Sequence, residues 1–113
     1  MTDKIVVLVT AKNPSEAKRI AKAVIEARLA ACVNIHPVIQ SIYMWEGKQH
    51  SEEEAMLLIK SSRPLFGELQ QAILRVHSYS TPEILCLPVT DGSPEYMRWL
   101  ESNLKKPSQP EEA

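Results

Sequence analysis

The stretch Ala30-Ala31-Cys32-Val33-Asn34-Ile35-His36-Pro37-Val38-Ile39-Gln40-Ser41-Ile42-Tyr43-Met44-Trp45-Glu46-Gly47-Lys48 decides how this chain folds. It reads as a long strand that begins near Ala31 and turns at Glu46-Gly47-Lys48-Gln49. The chain returns as a strand from Glu53 to Ser61, with Ala55, Leu57 and Ile59 on one face. Pro37 interrupts the outgoing strand and predicts a bulge or an edge position. Fully extended, Ala31 to Trp45 spans about 50 Å, whereas a compact domain of this length is about 35 Å across. The hairpin must bend, project, or do both. A projecting hairpin carrying Ile42, Tyr43, Met44 and Trp45 exposes apolar surface and open strand edges, which self-association covers. The alternative is that Pro37 folds the strand back onto its own domain.

The flanking sequence supplies the other elements. Lys4 to Thr10 is an apolar, β-rich run that suits a buried central strand. Asn13-Pro14-Ser15-Glu16 reads as a helix start, with Asn13 as cap and Glu16 reaching back as in a capping box. Ala17, Ile20, Ala21, Val24 and Ala27 then recur at helical spacing, and the helix should end near Arg28-Leu29. Ser62 is placed to cap a second helix bearing Leu65, Phe66, Leu69, Ile73 and Val76. Ser80-Thr81-Pro82 is a loop, and Glu83 to Thr90 a fourth strand with an edge-type Pro88. Asp91-Gly92 turns into a short helix from Ser93-Pro94, with Tyr96, Trp99 and Leu100 as its buried stripe. The order strand, helix, strand, strand, helix, strand, helix predicts an α+β, ferredoxin-like split βαβ sandwich with a long hairpin and a C-terminal helix. It occupies residues 1–104, and 105–113, with Pro107 and Pro110, reads as a mobile tail.

Composition narrows the function. The chain has 113 residues, enough for one domain with a real core, and 44% of them are hydrophobic. A net charge of -1 with scattered Lys and Arg lacks the footprint of a nucleic-acid binder. No apolar run is long enough to span a bilayer, and Ile5 to Val9 is too short for a signal-peptide core. A cytoplasmic protein is expected, with Cys32 and Cys86 as reduced thiols. Gly47, Gly67 and Gly92 lie far apart, so no phosphate-cradling loop is present. No Gly-x-Ser-x-Gly elbow occurs.

Several residues have the chemistry for a site. Cys32 is the obvious nucleophile or soft ligand, but its position in a strand reads first as a small buried thiol. Alternation puts it on one face with Asn34 and His36, yet Cys32 and His36 stand about 13 Å apart along a straight strand, too far to share an ion. His77 closes the second helix, where the dipole favours it, and also stands beside Tyr79 and Glu83 as a donor or ligand. Glu54 and Lys60 share a strand face and could line a pocket or form rim pairs. Tyr43 and Trp45 fall in the other alternation class and read as interface anchors. Cys86 reads as core, and His50 as solvated in a polar turn.

These residues, in this order, resemble the CutA divalent-cation tolerance family from about Ile5 to Leu104. The elements that carry the resemblance are Leu29 through Ile35, Ser41, Tyr43, Trp45-Glu46-Gly47-Lys48, Glu54, Ile59-Lys60, His77, Tyr79, Pro82-Glu83-Ile84, Leu87-Pro88, Tyr96 and Trp99-Leu100. The resemblance implies a ferredoxin-like fold, a homotrimer similar in outline to PII signalling proteins, and a link to tolerance of divalent cations, copper included. It implies no enzymatic reaction; the scattered charge and short apolar runs already argue against a nucleic-acid or membrane partner. It also implies an inter-subunit pocket of Cys32, Ser41, Tyr43, Trp45, Glu54, Lys60, Tyr79 and Glu83, taking a divalent cation or small ligand. In some relatives a cysteine late in the first strand and a histidine pair are the proposed copper ligands. Here those positions match Val9, Val76 and His77, so His77 alone remains as a metal ligand and copper binding should be weak. Ser78 stands where proline is usual, and Ser80 where an acidic residue or glutamine is common. Two other functions compete: an enzyme using a Cys32, His77 and Glu pocket between subunits, and a structural trimeric scaffold for a protein partner.

Overall fold

The computed structural model describes residues 2–107. The elements run β1 (Lys4–Ala11), α1 (Pro14–Glu26), β2 (Cys32–Trp45), β3 (Lys48–Ser62), a 3-10 turn (Arg63–Leu65), α2 (Phe66–Val76), β4 (Ile84–Pro88) and α3 (Pro94–Ser102). The strands form one four-stranded sheet in the order β2-β3-β1-β4, with every neighbouring pair antiparallel. That order is the split βαβ arrangement expected from the sequence.

Alternation along β1 and β3 builds the core. Ile5, Val7 and Val9 of β1 and Leu57 and Ile59 of β3 point to one face. There they meet Ala17, Ile20 and Val24 of α1 and Leu69 and Ile73 of α2. Val33 and Ile35 of β2 and Ile84 and Cys86 of β4 extend the same face to both edges. Cys86 is therefore core-facing, though half-buried because β4 is an edge strand.

Several local expectations shift. The third strand begins at Lys48, not Glu53, because the hairpin closes on Glu46 and Gly47 alone. Both residues have positive φ, 50° and 77°, as a tight two-residue hairpin turn requires. Ser62 makes no side-chain cap; the 3-10 turn intervenes and α2 starts at Phe66. Strand β4 ends at Pro88. The expected buried stripe of α3 reduces to Leu100, with Tyr96 and Trp99 43% and 46% exposed. Lys105 is held by a backbone bond to the Arg28 carbonyl and an ion pair with Glu68 at 2.8 Å. The rest of the expected tail, from 108 on, lies outside the described residues.

The molecule measures 46 × 38 × 25 Å, so its long axis exceeds the about 35 Å of a compact domain. The hairpin projects. Val38, Ile42, Met44 and Trp45 are exposed along it.

Candidate functional site

The site is assembled by a bulge. Before it, Cys32 pairs with Lys60, Asn34 with Leu58 and His36 with Met56; after it, Ile39 pairs with Glu54, Ser41 with Glu52, Tyr43 with His50 and Trp45 with Lys48. The register slips between His36 and Ile39, where Pro37 and Val38 fit one extra residue into β2. A one-residue slip moves every later side chain to the other face. Even positions before the bulge and odd positions after it therefore share a face. Cys32, Ser41, Tyr43, Trp45, Glu54 and Lys60 all lie on it, opposite α1 and α2. Uninterrupted alternation would have separated Tyr43 and Trp45 from Glu54 and Lys60, and that expectation is corrected by the bulge.

The segment from His77 to Glu83 supplies the rest. It leaves α2, passes the C-terminal end of β1 and enters β4. His77 is extended, with φ -83° and ψ 139°. Its Nδ1 accepts from the Tyr79 backbone N–H at 3.0 Å, and its Nε2 stands 2.8 Å from the Thr10 carbonyl oxygen. A backbone N–H only donates and a carbonyl only accepts, so these two bonds match the tautomer with its proton on Nε2. The Tyr79 ring lies 4.9 Å from the imidazole, and its hydroxyl donates to Glu54 Oε2 at 2.9 Å. Burial raises the Tyr79 phenol above the ordinary tyrosine range, and the Glu54 carboxylate raises it further through that bond and its charge. Glu83 is exposed as a residue, yet crowding around its carboxyl, and then the Glu54 charge, hold it above the usual carboxylate range. Glu54, Tyr79 and Glu83 thus form one cluster where the hairpin leaves the sheet.

Other assignments change in detail. Cys32 is half-buried rather than enclosed, because neither α1 nor α2 covers its face. Tyr96 of α3 sits against it, and burial first, then Cys32, raise that phenol. His50 is half-buried too, stacked on Tyr43 with ring centroids 5.5 Å apart at 14°. Cys32 and His77 do not meet: Cys32 pairs opposite Lys60, whereas His77 bonds Thr10, which pairs opposite Met56. Those positions are about 13 Å apart along β3. An enzyme using both would need them from different subunits.

Among the described residues no three His, Cys, Asp or Glu side chains gather closely enough to hold a metal together. Both ring nitrogens of His77 are engaged, so a metal there displaces one hydrogen bond. This donor set does not fit a resident copper centre. Glu16 does more than close the start of α1. It is 1% exposed, and its carboxylate accepts from the N–H of Lys12 at 3.0 Å and of Ser78 at 2.9 Å. The capping signal marked the residue, but nothing local could reveal a partner in a distant loop. Among the described residues no helix is long and apolar enough to cross a membrane.

Comparison with known proteins places this geometry. Residues 5–103 match the family described as CutA1 divalent ion tolerance protein. The divalent-cation tolerance protein CutA of Thermus thermophilus is 44% identical over 98 residues, 87% of this chain and 95% of that one. The chloroplastic protein CutA of Arabidopsis thaliana is 42% identical over 101 residues, 89% of this chain but 56% of that relative. This chain therefore spans little more than half of the plant protein. The crystal structure of CutA1 from Oryza sativa superposes with a TM-score of 0.89 at 40% identity, covering 91% of this chain and 94% of that one.

Proposed function

The chain belongs to the CutA1 divalent ion tolerance family, and from that premise we propose that it is a non-catalytic homotrimer of the cytosol that meets divalent cations or a small ligand weakly. The observation that carries the reading is the apolar part of the outer sheet face that no helix covers. Helices α1 and α2 cover one face; α3 reaches the other near Cys32 and Lys4, through Tyr96 and Glu101, and leaves Leu85 and Leu87 there 53% and 46% exposed, beside the Glu54, Tyr79 and Glu83 cluster. Apolar surface of that kind next to a projecting hairpin favours association, and three copies meeting there would turn the surface around the cluster into an inter-subunit pocket. The two thiols lie on opposite faces of the sheet, Cys32 outward and Cys86 toward the helices, and so cannot pair; that suits a reducing compartment.

Copper, on this reading, is cargo or signal rather than a resident cofactor. It reaches His77, the one ligand left of the set that the family resemblance implies, and must displace the Tyr79 N–H or the Thr10 carbonyl to bind. Calorimetric titration of cupric ion into the wild type and His77→Ala tests this. Weak binding that disappears in His77→Ala is expected. Tight stoichiometric binding that survives the substitution would overturn it.

A further inference from the structure

Glu16 is a buried carboxylate at the start of a helix, and its environment exceeds what a cap needs. Asn13 already caps α1, its Oδ1 accepting from the Glu16 N–H at 2.8 Å. A residue in the first turn of a helix is stabilised by the dipole while fully exposed. Glu16 is instead 1% exposed, and burying a carboxylate is costly unless several donors satisfy it. The donors come from two places. Lys12 gives its N–H to Oε1, and Ser78 gives its N–H to Oε2. The Ser78 hydroxyl also reaches the carboxylate. One oxygen is thus tied to the turn before α1, and the other to the loop after α2.

Ser78 lies between His77 and Tyr79. On one side of it, His77 bridges the Thr10 carbonyl and the Tyr79 N–H. On the other, Tyr79 carries the hydroxyl that binds Glu54. The chain of bonds runs from the β1–α1 turn through Glu16, Ser78 and Tyr79 to Glu54 on the hairpin. We infer that Glu16 is a positioning residue for the Glu54, Tyr79 and Glu83 cluster, acting through Ser78 to hold the 77–83 loop against the hairpin. The role of that cluster as a ligand pocket rests on the reading proposed above; the positioning does not. Releasing one end of the carboxylate leaves His77 as the loop's other tie, so the loop loosens without unfolding the domain. Tyr79 then loses its fixed reach to Glu54.

Amide hydrogen exchange of the full chain tests this without any ligand. In Glu16→Gln one end of the side chain becomes an NH2 group that opposes an N–H donor. The Ser78 and Tyr79 amides should exchange at least about tenfold faster, while the core amides of Val7 and Ile59 keep their protection. Asn13→Ala is the control, removing the cap of α1 without touching Ser78, and it should leave the loop amides within about twofold of wild type. Should Glu16→Gln be too unstable to measure, Glu16→Asp, one methylene short, is judged by the same criteria. Loop exchange unchanged in the Glu16 variant, or accelerated equally by Asn13→Ala, would reduce Glu16 to an ordinary helix-end residue and overturn the inference. Failure of wild-type protein to bind cupric ion would count against the functional reading alone.

Discussion

Replacing Tyr79 by phenylalanine should remove one interaction and little else. The ring keeps its place against the His77 imidazole, 4.9 Å away, and its backbone N–H still meets Nδ1. What goes is the hydroxyl donated to Glu54, a carboxylate only 9% exposed. A hydrogen bond to an ionised group contributes about 1.5–3 kcal/mol, and partial solvation of this one lowers that to about 1–2 kcal/mol. With a urea dependence of about 2 kcal/mol per molar, the unfolding midpoint should fall by about 0.5–1 M. Wild type and Tyr79→Phe must be compared at one subunit concentration, since association shifts apparent stability. The same substitution in a Glu54→Gln background should cost less, because the charged acceptor is gone. A midpoint shift below about 0.1 M in the wild-type background would mean that the Tyr79–Glu54 bond contributes nothing, and the cluster would lose its structural basis.

The remaining expectations concern pH and association. Tyr79 has a raised folded pKa, so its contribution is complete below the ordinary tyrosine value of about 10 and is lost as pH rises beyond it; Tyr79→Phe should flatten that alkaline decline in an unfolding series. Burial pushes Glu16 upward, but the Ser78 and Lys12 hydrogen bonds outweigh it and its folded pKa is lowered; its contribution is present above about pH 4.3 and lost on acidification, so Glu16→Gln should flatten the acid limb. Glu83 is raised, so its charged form is worse off folded than unfolded, and Glu83→Gln should be neutral or slightly stabilising at pH 7, as read by urea unfolding. Cys32 should react with a thiol reagent far more slowly in the assembled protein than in denaturant; equal rates would show that assembly leaves its face open.

Much of the fold was legible because local chemistry and tertiary structure agree. Asn13 and Pro14 start α1 as their side chains dictate, and Ala55, Leu57 and Ile59 alternate into the core. Pro37 announced the bulge, but proline alone does not say whether a residue is added or the strand merely lies at an edge; here it does both. That ambiguity hid the shared face of Cys32, Tyr43, Trp45, Glu54 and Lys60, since one inserted residue inverts the parity of everything after it. Trp99 and Tyr96 misled for a different reason. Their spacing is that of an amphipathic helix, and spacing shows which residues form the apolar face, not what covers it. The partners of Glu16 and His77 were invisible because Ser78 and Thr10 come to them through the fold of the loop and the end of β1, not through a motif.

The central claim is that the exposed Leu85 and Leu87 of the outer sheet face and the projecting hairpin are surfaces of a homotrimer. Sedimentation equilibrium at micromolar concentration tests it most directly, with Trp45→Ala as the weakened comparison. The account predicts a mass three times that of the 12.7 kDa chain for the wild type, and partial dissociation for Trp45→Ala. A wild-type mass of 12.7 kDa across that range would contradict it.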